Sequence, residues 1–177
     1  MGRPRGFDED QAVRAAAELF ARHSYDGTSI DDLVNHVGVH RGSLYKTFGS
    51  KRGLYLRALR RHVDEDVSAL ARAVATARDQ AEAVGLVLAA GPRLGMLFHA
   101  MVERAPVDAD AAAETTRALA LLDAATEAEG LTALALGQLL RRRAVPRDAA
   151  AESPAREAPA PQEGEWSWLA SASSVTT

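Results

Sequence analysis

An all-α fold is what this sequence predicts, and three observations carry the prediction. Alanine fills 37 of the 177 positions, and alanine is the best helix former. Isoleucine occurs once, at Ile30, and aromatic residues make up 5%, so the β-branched and aromatic residues that favour strands are scarce. Apolar residues recur at three- and four-residue intervals, the period of a helix with one buried face.

The first helix begins at Asp8, with Ala12, Val13, Ala16, Ala17, Leu19 and Phe20 on its inner face. It should stop between His23 and Gly27, where Asp26-Gly27 signals a turn. Thr28 then reads as the N-cap of a short helix over about 29–37, with Asp31 three residues on as the acidic member of a capping box. Its apolar face is Ile30, Leu33, Val34 and Val37, and Gly38 stands where a helix-ending glycine belongs. A third helix comes next at about 40–46, with Leu44 and Phe48 as its inward i, i+4 pair. Gly49 closes it and Ser50 caps a fourth helix carrying Leu54, Leu56, Ala58, Leu59 and Val63. Further helices are expected at 81–90, ending at Gly91-Pro92, and at 93–103. A long one is capped by Asp108 or Asp110, and a last one covers 131–143. Three proline positions and the Ala, Glu and Ser content of 147–177 suggest a disordered tail, with Trp166 and Trp168 its large apolar residues.

Charge and composition narrow the function classes. Cysteine is absent, which removes disulfides, thiolate metal sites and cysteine nucleophiles. The residues after Met1 are charged, which predicts no secretory leader. No run approaches the ~18 apolar residues of a membrane span, so no membrane partner is expected. The formal net charge is −3, but its distribution is uneven. Residues 1–62 carry 11 basic and 7 acidic side chains, whereas 63–150 carry 9 and 13. A basic first third on an acidic body points to an anionic partner at one end.

Two short helices separated by a tight glycine turn form a helix-turn-helix, and the second of such a pair can lie in the major groove of DNA. The residues at its start are His40, Arg41, Gly42 and Ser43. Arg41 suits guanine O6 and N7, and Gly42 lets a backbone come close. Tyr45, Lys46 and Thr47 lie one turn on and suit phosphate oxygens, as do Thr28 and Lys51 at helix N-termini. Arg3 and Arg5, flanking Pro4, form an arm of the kind that enters a minor groove. The same helix pair also occurs in proteins that do not bind DNA, so a protein-interaction module is the rival reading.

Several motifs recur in order: Gly2-Arg3-Pro4-Arg5-Gly6-Phe7-Asp8, Ala16-Ala17-Glu18-Leu19-Phe20, Tyr25-Asp26-Gly27-Thr28-Ser29-Ile30, and the run from Gly38 to Lys51. In these the chain resembles the N-terminal domain of TetR-type transcriptional regulators over about residues 2–60. The resemblance implies an N-terminal three-helix DNA-binding domain, here 1–62, and a C-terminal helical domain, here 63–146, that binds a small-molecule effector and dimerises. It implies a homodimeric, cytoplasmic repressor on a palindromic double-stranded operator. By the same matching, Thr28, Tyr45 and Lys51 contact phosphates, while Arg41 and Ser43 face bases. His40 departs from the small capping residue more usual there.

Other chemistry is weak. His36 and His40 are spaced i, i+4 across a predicted helix break, without the glutamate of a zinc-protease helix. No nucleophile elbow or phosphate-binding glycine loop is present, so neither catalysis, a metal nor a cofactor is expected. Leu94, Leu97, Phe98, His99, Met101 and Leu122 are the expected wall of an effector cavity, and all suit a packed core equally well. Glu103 and Arg104 read as surface groups or an ion pair.

Overall fold

The structure, a computed structural model, describes residues 8–126 and 130–144. Those up to Arg142 form one compact unit. The order is α1 (Glu9–His23), α2 (Ile30–Val37), α3 (Arg41–Phe48), α4 (Lys51–His62), α5 (Ser68–Ala75), α6 (Gln80–Ala89), α7 (Gly95–His99), α8 (Ala109–Thr126) and α9 (Leu131–Ala144), with no strand among the described residues. The Arg3/Arg5 arm and the 147–177 tail lie outside the described residues.

Caps explain most boundaries. Asp8 accepts from the Gln11 N–H at 3.0 Å to start α1, Ser50 accepts from Gly53 at 3.0 Å to start α4, and Asp79 starts α6. Gly38 ends α2 in the left-handed region, φ 74°, its N–H on the Val34 carbonyl at 3.0 Å. The cap of α2 is one residue later than expected. Ser29 and Asp32 form the reciprocal box, because the Thr28 hydroxyl is buried and donates to the Ser24 carbonyl at 2.6 Å. The α1 helix stops at His23, within the expected range, and Ser24 reverses the chain as a non-glycine at φ 64°. Gly27 is required there by contact: an added Cβ would lie 2.1 Å from the His23 carbonyl oxygen.

One helix runs on further than its residue pattern suggests, while the helix expected at 93–103 is found from Gly95 to Arg104 with a π turn inside it. Helical backbone continues from α4 into α5 through a π turn at Val63–Val67, where the Ser68 N–H reaches the Val63 carbonyl. Likewise α7 continues through a second π turn at Ala100–Arg104, closed by Ala105 N–H on the Ala100 carbonyl at 2.8 Å. Each inserts one residue into the helical ladder and rotates the turns after it.

The core divides into two clusters. The first joins Phe20, Leu33, Leu44, Leu54, Tyr55 and Leu59 from the first four helices, and is closed by Met96, Ala100 and Ala111 from α7, the turn after it and α8. The second holds Val63, Val67, Leu94, Leu97, Phe98 and Leu122. The α1 helix packs on α4 and α7, and α5 packs on α6 and α8. These contacts seat the helix-turn-helix on the later helices through buried apolar surface, worth roughly 2 kcal/mol for each large side chain fully covered.

A charged clamp joins the same parts. Asp108, 6% exposed, accepts from Arg52 Nε and Nη2, each at 2.8 Å, and from Arg104 Nη2 at 3.2 Å. It also caps α8 through the Asp110 and Ala111 N–H groups. The Arg52 hydrogen bonds, opposed by burial and helped by Ala111 and Arg104, hold its carboxyl well below the usual carboxylate range. A carboxyl depressed in the folded state contributes stability that is complete above the unfolded value, about pH 4, and fades as pH falls toward the folded one. Asp108→Asn is therefore expected to lose roughly 2 kcal/mol at pH 7. The difference in its urea-unfolding free energy between pH 7 and pH 3 should be smaller than in the parent chain. An unchanged difference would remove Asp108 from this role.

Candidate nucleic-acid interface

Helix α3 has one buried side and one bare side. Leu44 and Phe48 point into the first core, with 0% and 7% exposure. The helical period then places Arg41 and Tyr45 in one outward row and Gly42 and Lys46 in the next. All four are exposed, and Tyr45 stands 42% exposed despite its large ring. Ser43 and Thr47 are half-buried at the flanks. His40 is the N-cap but makes no side-chain cap bond, so its ring is exposed at the start of the helix. No acidic residue occupies the first turn of α3, which leaves its positive end open to an anion.

Gly42 has no structural reason to be glycine. Its φ is not in the left-handed region, and an added Cβ meets nothing within 4 Å. A glycine inside an exposed helix costs stability relative to alanine, and no atom of the described residues fills the space beside Gly42.

Charges around α3 are partly engaged. Arg41 Nη2 pairs with Asp31 Oδ1 of α2, both side chains exposed. Its guanidinium pKa is raised, first by that hydrogen bond and then by the charge of Asp31. Lys51, the first residue of α4, is half-buried with Nζ 4.1 Å from the Tyr25 ring centroid, and burial lowers its pKa. Thr28 is 1% exposed, with its hydroxyl and its N–H both bonded inside the turn. The structure thus brings His40, Arg41, Gly42, Ser43, Tyr45 and Lys46 onto one short helix, and sets Lys51 and Thr28 in more closed surroundings.

Residue patterns missed a junction behind this face. The Tyr25 N–H donates to Glu103 Oε2 at 2.9 Å, and the Arg104 guanidinium lies 4.3 Å from the Tyr25 ring. Glu103 and Arg104, expected on the surface or paired, are half-buried; Arg104 pairs with Asp108 rather than with its neighbour. Asp110, the alternative cap, instead pairs with Arg52 at 2.6 Å. The sole hint in the sequence was two opposite charges placed just before Pro106. Among the expected effector-cavity residues, Leu94, Leu97, Phe98 and Leu122 are buried in the second core. His99 and Met101 are half-buried, and Leu94 also borders a groove between α5 and α6. Among the described residues no cluster of three or more His, Asp and Glu could hold a metal, and no helix is long and apolar enough to cross a membrane.

Residues 12–58 match the family model described as "Bacterial regulatory proteins, tetR family". The chain is 42% identical over 64 residues to the uncharacterized HTH-type transcriptional regulator YezE of Bacillus subtilis, covering 36% of this chain and 33% of that protein. It is 40% identical over 70 residues to the HTH-type transcriptional repressor BdcR of Escherichia coli, covering 40% and 36%. It is 38% identical over 76 residues to the HTH-type transcriptional activator FasR of Mycolicibacterium smegmatis, covering 43% and 35%. The matched part thus spans about a third of these relatives' length. Two solved structures share the fold more widely. One is a cysteine mutant of the TetR family transcriptional regulator CifR complexed with operator DNA, with TM-score 0.60, 24% identity and coverage of 84% of this chain and 93% of that one. The other is the fatty acid degradation regulator FadR of Bacillus halodurans, with TM-score 0.55, 16% identity and coverage of 81% and 90%.

The bare face of α3 makes a direct prediction. Gly42→Ala should stabilise the fold by about 0.5 kcal/mol, measured by thermal unfolding, while weakening duplex DNA binding. Equal affinity of the two proteins for DNA would show that the space beside Gly42 is not used.

Proposed function

We propose that this chain, whose residues 12–58 match the tetR family, is a sequence-specific DNA-binding transcriptional regulator. The observation that carries the reading is the outward face of α3, where polar and basic side chains and an unexplained glycine share one exposed surface. In this reading α3 enters the major groove. Arg41 and Ser43 face base edges, while Tyr45, Lys46 and Lys51 meet phosphates. Thr28 would serve by holding the turn that presents α2, since its hydroxyl is occupied.

The chain would act as a homodimer in the cytoplasm, one recognition helix in each half of a palindromic operator. Leu134 and Leu140 of α9 are 57% and 43% exposed, and such leucines on a C-terminal helix suit a face that a second copy covers. Residues 1–62 would form the DNA-binding domain, with 63–146 taking the effector and the dimer contact. Repression, relieved when a small molecule shifts α4, is the mode we favour. The matched relatives include both a repressor and an activator.

Selection of bound duplexes from a random pool tests the reading, followed by titration of the enriched sequence at several salt concentrations. Affinity should fall steeply as salt rises, because phosphate neutralisation releases counterions. Arg41→Ala should relax preference at one base position and weaken the enriched sequence roughly tenfold. Lys46→Ala should weaken all duplexes alike and reduce the salt slope by about one. No enrichment, with binding to a protein partner indifferent to salt, would favour a protein-interaction module instead.

A further inference from the structure

We propose that the cleft where α1, the end of α4 and the turn before α7 meet binds a small amphipathic carboxylate. The cleft has a volume of about 540 Å³. Arg14 and Arg22 of α1, Arg61 of α4 and Arg93 of the turn line it, so guanidinium groups reach it from three separate elements. Three acids share the lining: Glu65 accepts from Arg61 at 2.6 Å, Asp66 meets His62 Nδ1 at 2.9 Å, and Glu18 is exposed. Arg14 and Arg93 are exposed, and the Arg93 charge is felt by Asp66 across the cleft. Four guanidinium groups against three carboxylates leave positive charge for a ligand to neutralise.

The apolar half of the ligand is indicated by what adjoins the cleft. Ala17, Ala21 and Pro92 form part of its wall. A second groove, of about 340 Å³, runs between α5 and α6 along Leu70, Ala73, Leu86 and Leu94, and shares Asp66 and Arg93 with the first. Arg93 therefore stands where a charged recess joins an apolar one. A carboxylate held by Arg93 and Arg14 with its hydrocarbon along Leu70 and Leu86 uses both. Inorganic phosphate uses only the first, and a neutral alcohol only the second. Such a ligand would touch α1 and α4 of the helix-turn-helix side together with α5 and α6. Any effect on DNA rests on the regulator reading, whereas binding itself does not.

Calorimetric titration of the full chain with octanoate, without DNA, tests the site. Saturable binding is expected, with octanol and inorganic phosphate each much weaker. Arg93→Gln and Arg14→Gln should each weaken octanoate roughly tenfold, and thermal unfolding should show both variants folded, since both side chains are exposed. No heat of binding, equal binding of octanol, or full affinity in both variants would overturn the proposal. A mobility-shift assay on the enriched duplex, with and without octanoate, scores the regulatory consequence separately. Failure to bind any duplex would count against the regulator reading while leaving the calorimetric result standing.

Discussion

The buried carboxylate of Asp108 is the constraint around which the described helices are arranged. It is the N-cap of α8 and also the acceptor for Arg52 and Arg104. A buried carboxylate is tolerated only when its oxygens are filled by donors, and here backbone N–H groups and two guanidinium groups fill them. Arg52 is the second residue of α4 and stands four positions after the end of α3. The start of α4, and α3 joined to it by Gly49-Ser50, is thereby tied to the start of α8. Asp108 is the buried member of this tie, Arg52 being exposed and also paired with Asp110, so the loss of donors to Asp108 is what costs most.

A second tie lies farther along the same helix. Arg60 of α4 donates to Glu114 of α8 at 2.8 Å, and Arg117 bridges Glu114 to Asp64 at 2.7 Å for each bond. With Tyr25 held between Lys51, Arg104 and Glu103, α4 is fixed to the later helices at both ends. Rotation of α4 therefore requires several charged contacts to change together. Close packing makes such a change a switch between arrangements rather than a gradual bend. The π turns at Val63–Val67 and Ala100–Arg104 sit next to these ties, where one inserted residue sets which side chains meet.

Legibility in the sequence followed the range of the interaction. Caps and glycine stops are local, and Ser50, Gly38 and Gly49 mark helix ends where expected. The i, i+4 pair Leu44 and Phe48 was readable for the same reason. The cap of α2 was displaced by one residue because Thr28 and Ser29 carry the same chemistry, and the choice between them is made by burial of the turn. Contacts such as Tyr25 with Glu103, 78 positions apart, leave no periodic trace. Nor does the cleft, since Arg14, Arg61 and Arg93 are surface arginines until the fold gathers them. The expected effector wall failed to separate from core because Leu97, Phe98 and Leu122 have the same residue types in either role.

The positive charge of the first third bears on specificity in a way the net value hides. Among the described residues outside α3, four of its nine arginines are engaged by carboxylates of the same chain: Arg52 by Asp108 and Asp110, Arg57 by Glu9, Arg60 by Glu114, and Arg61 by Glu65. On α3 itself there are two cations, Lys46 and Arg41, and Arg41 is held by Asp31. In the proposed complex a duplex would have to offer Arg41 a better partner than Asp31. A guanine edge offers two parallel hydrogen bonds, whereas a random base step does not, and Asp31 meanwhile repels the phosphates. In the proposed complex Asp31 would lower affinity for all DNA while lowering it least for the sequence that fits, so an acidic neighbour would make a basic helix more selective.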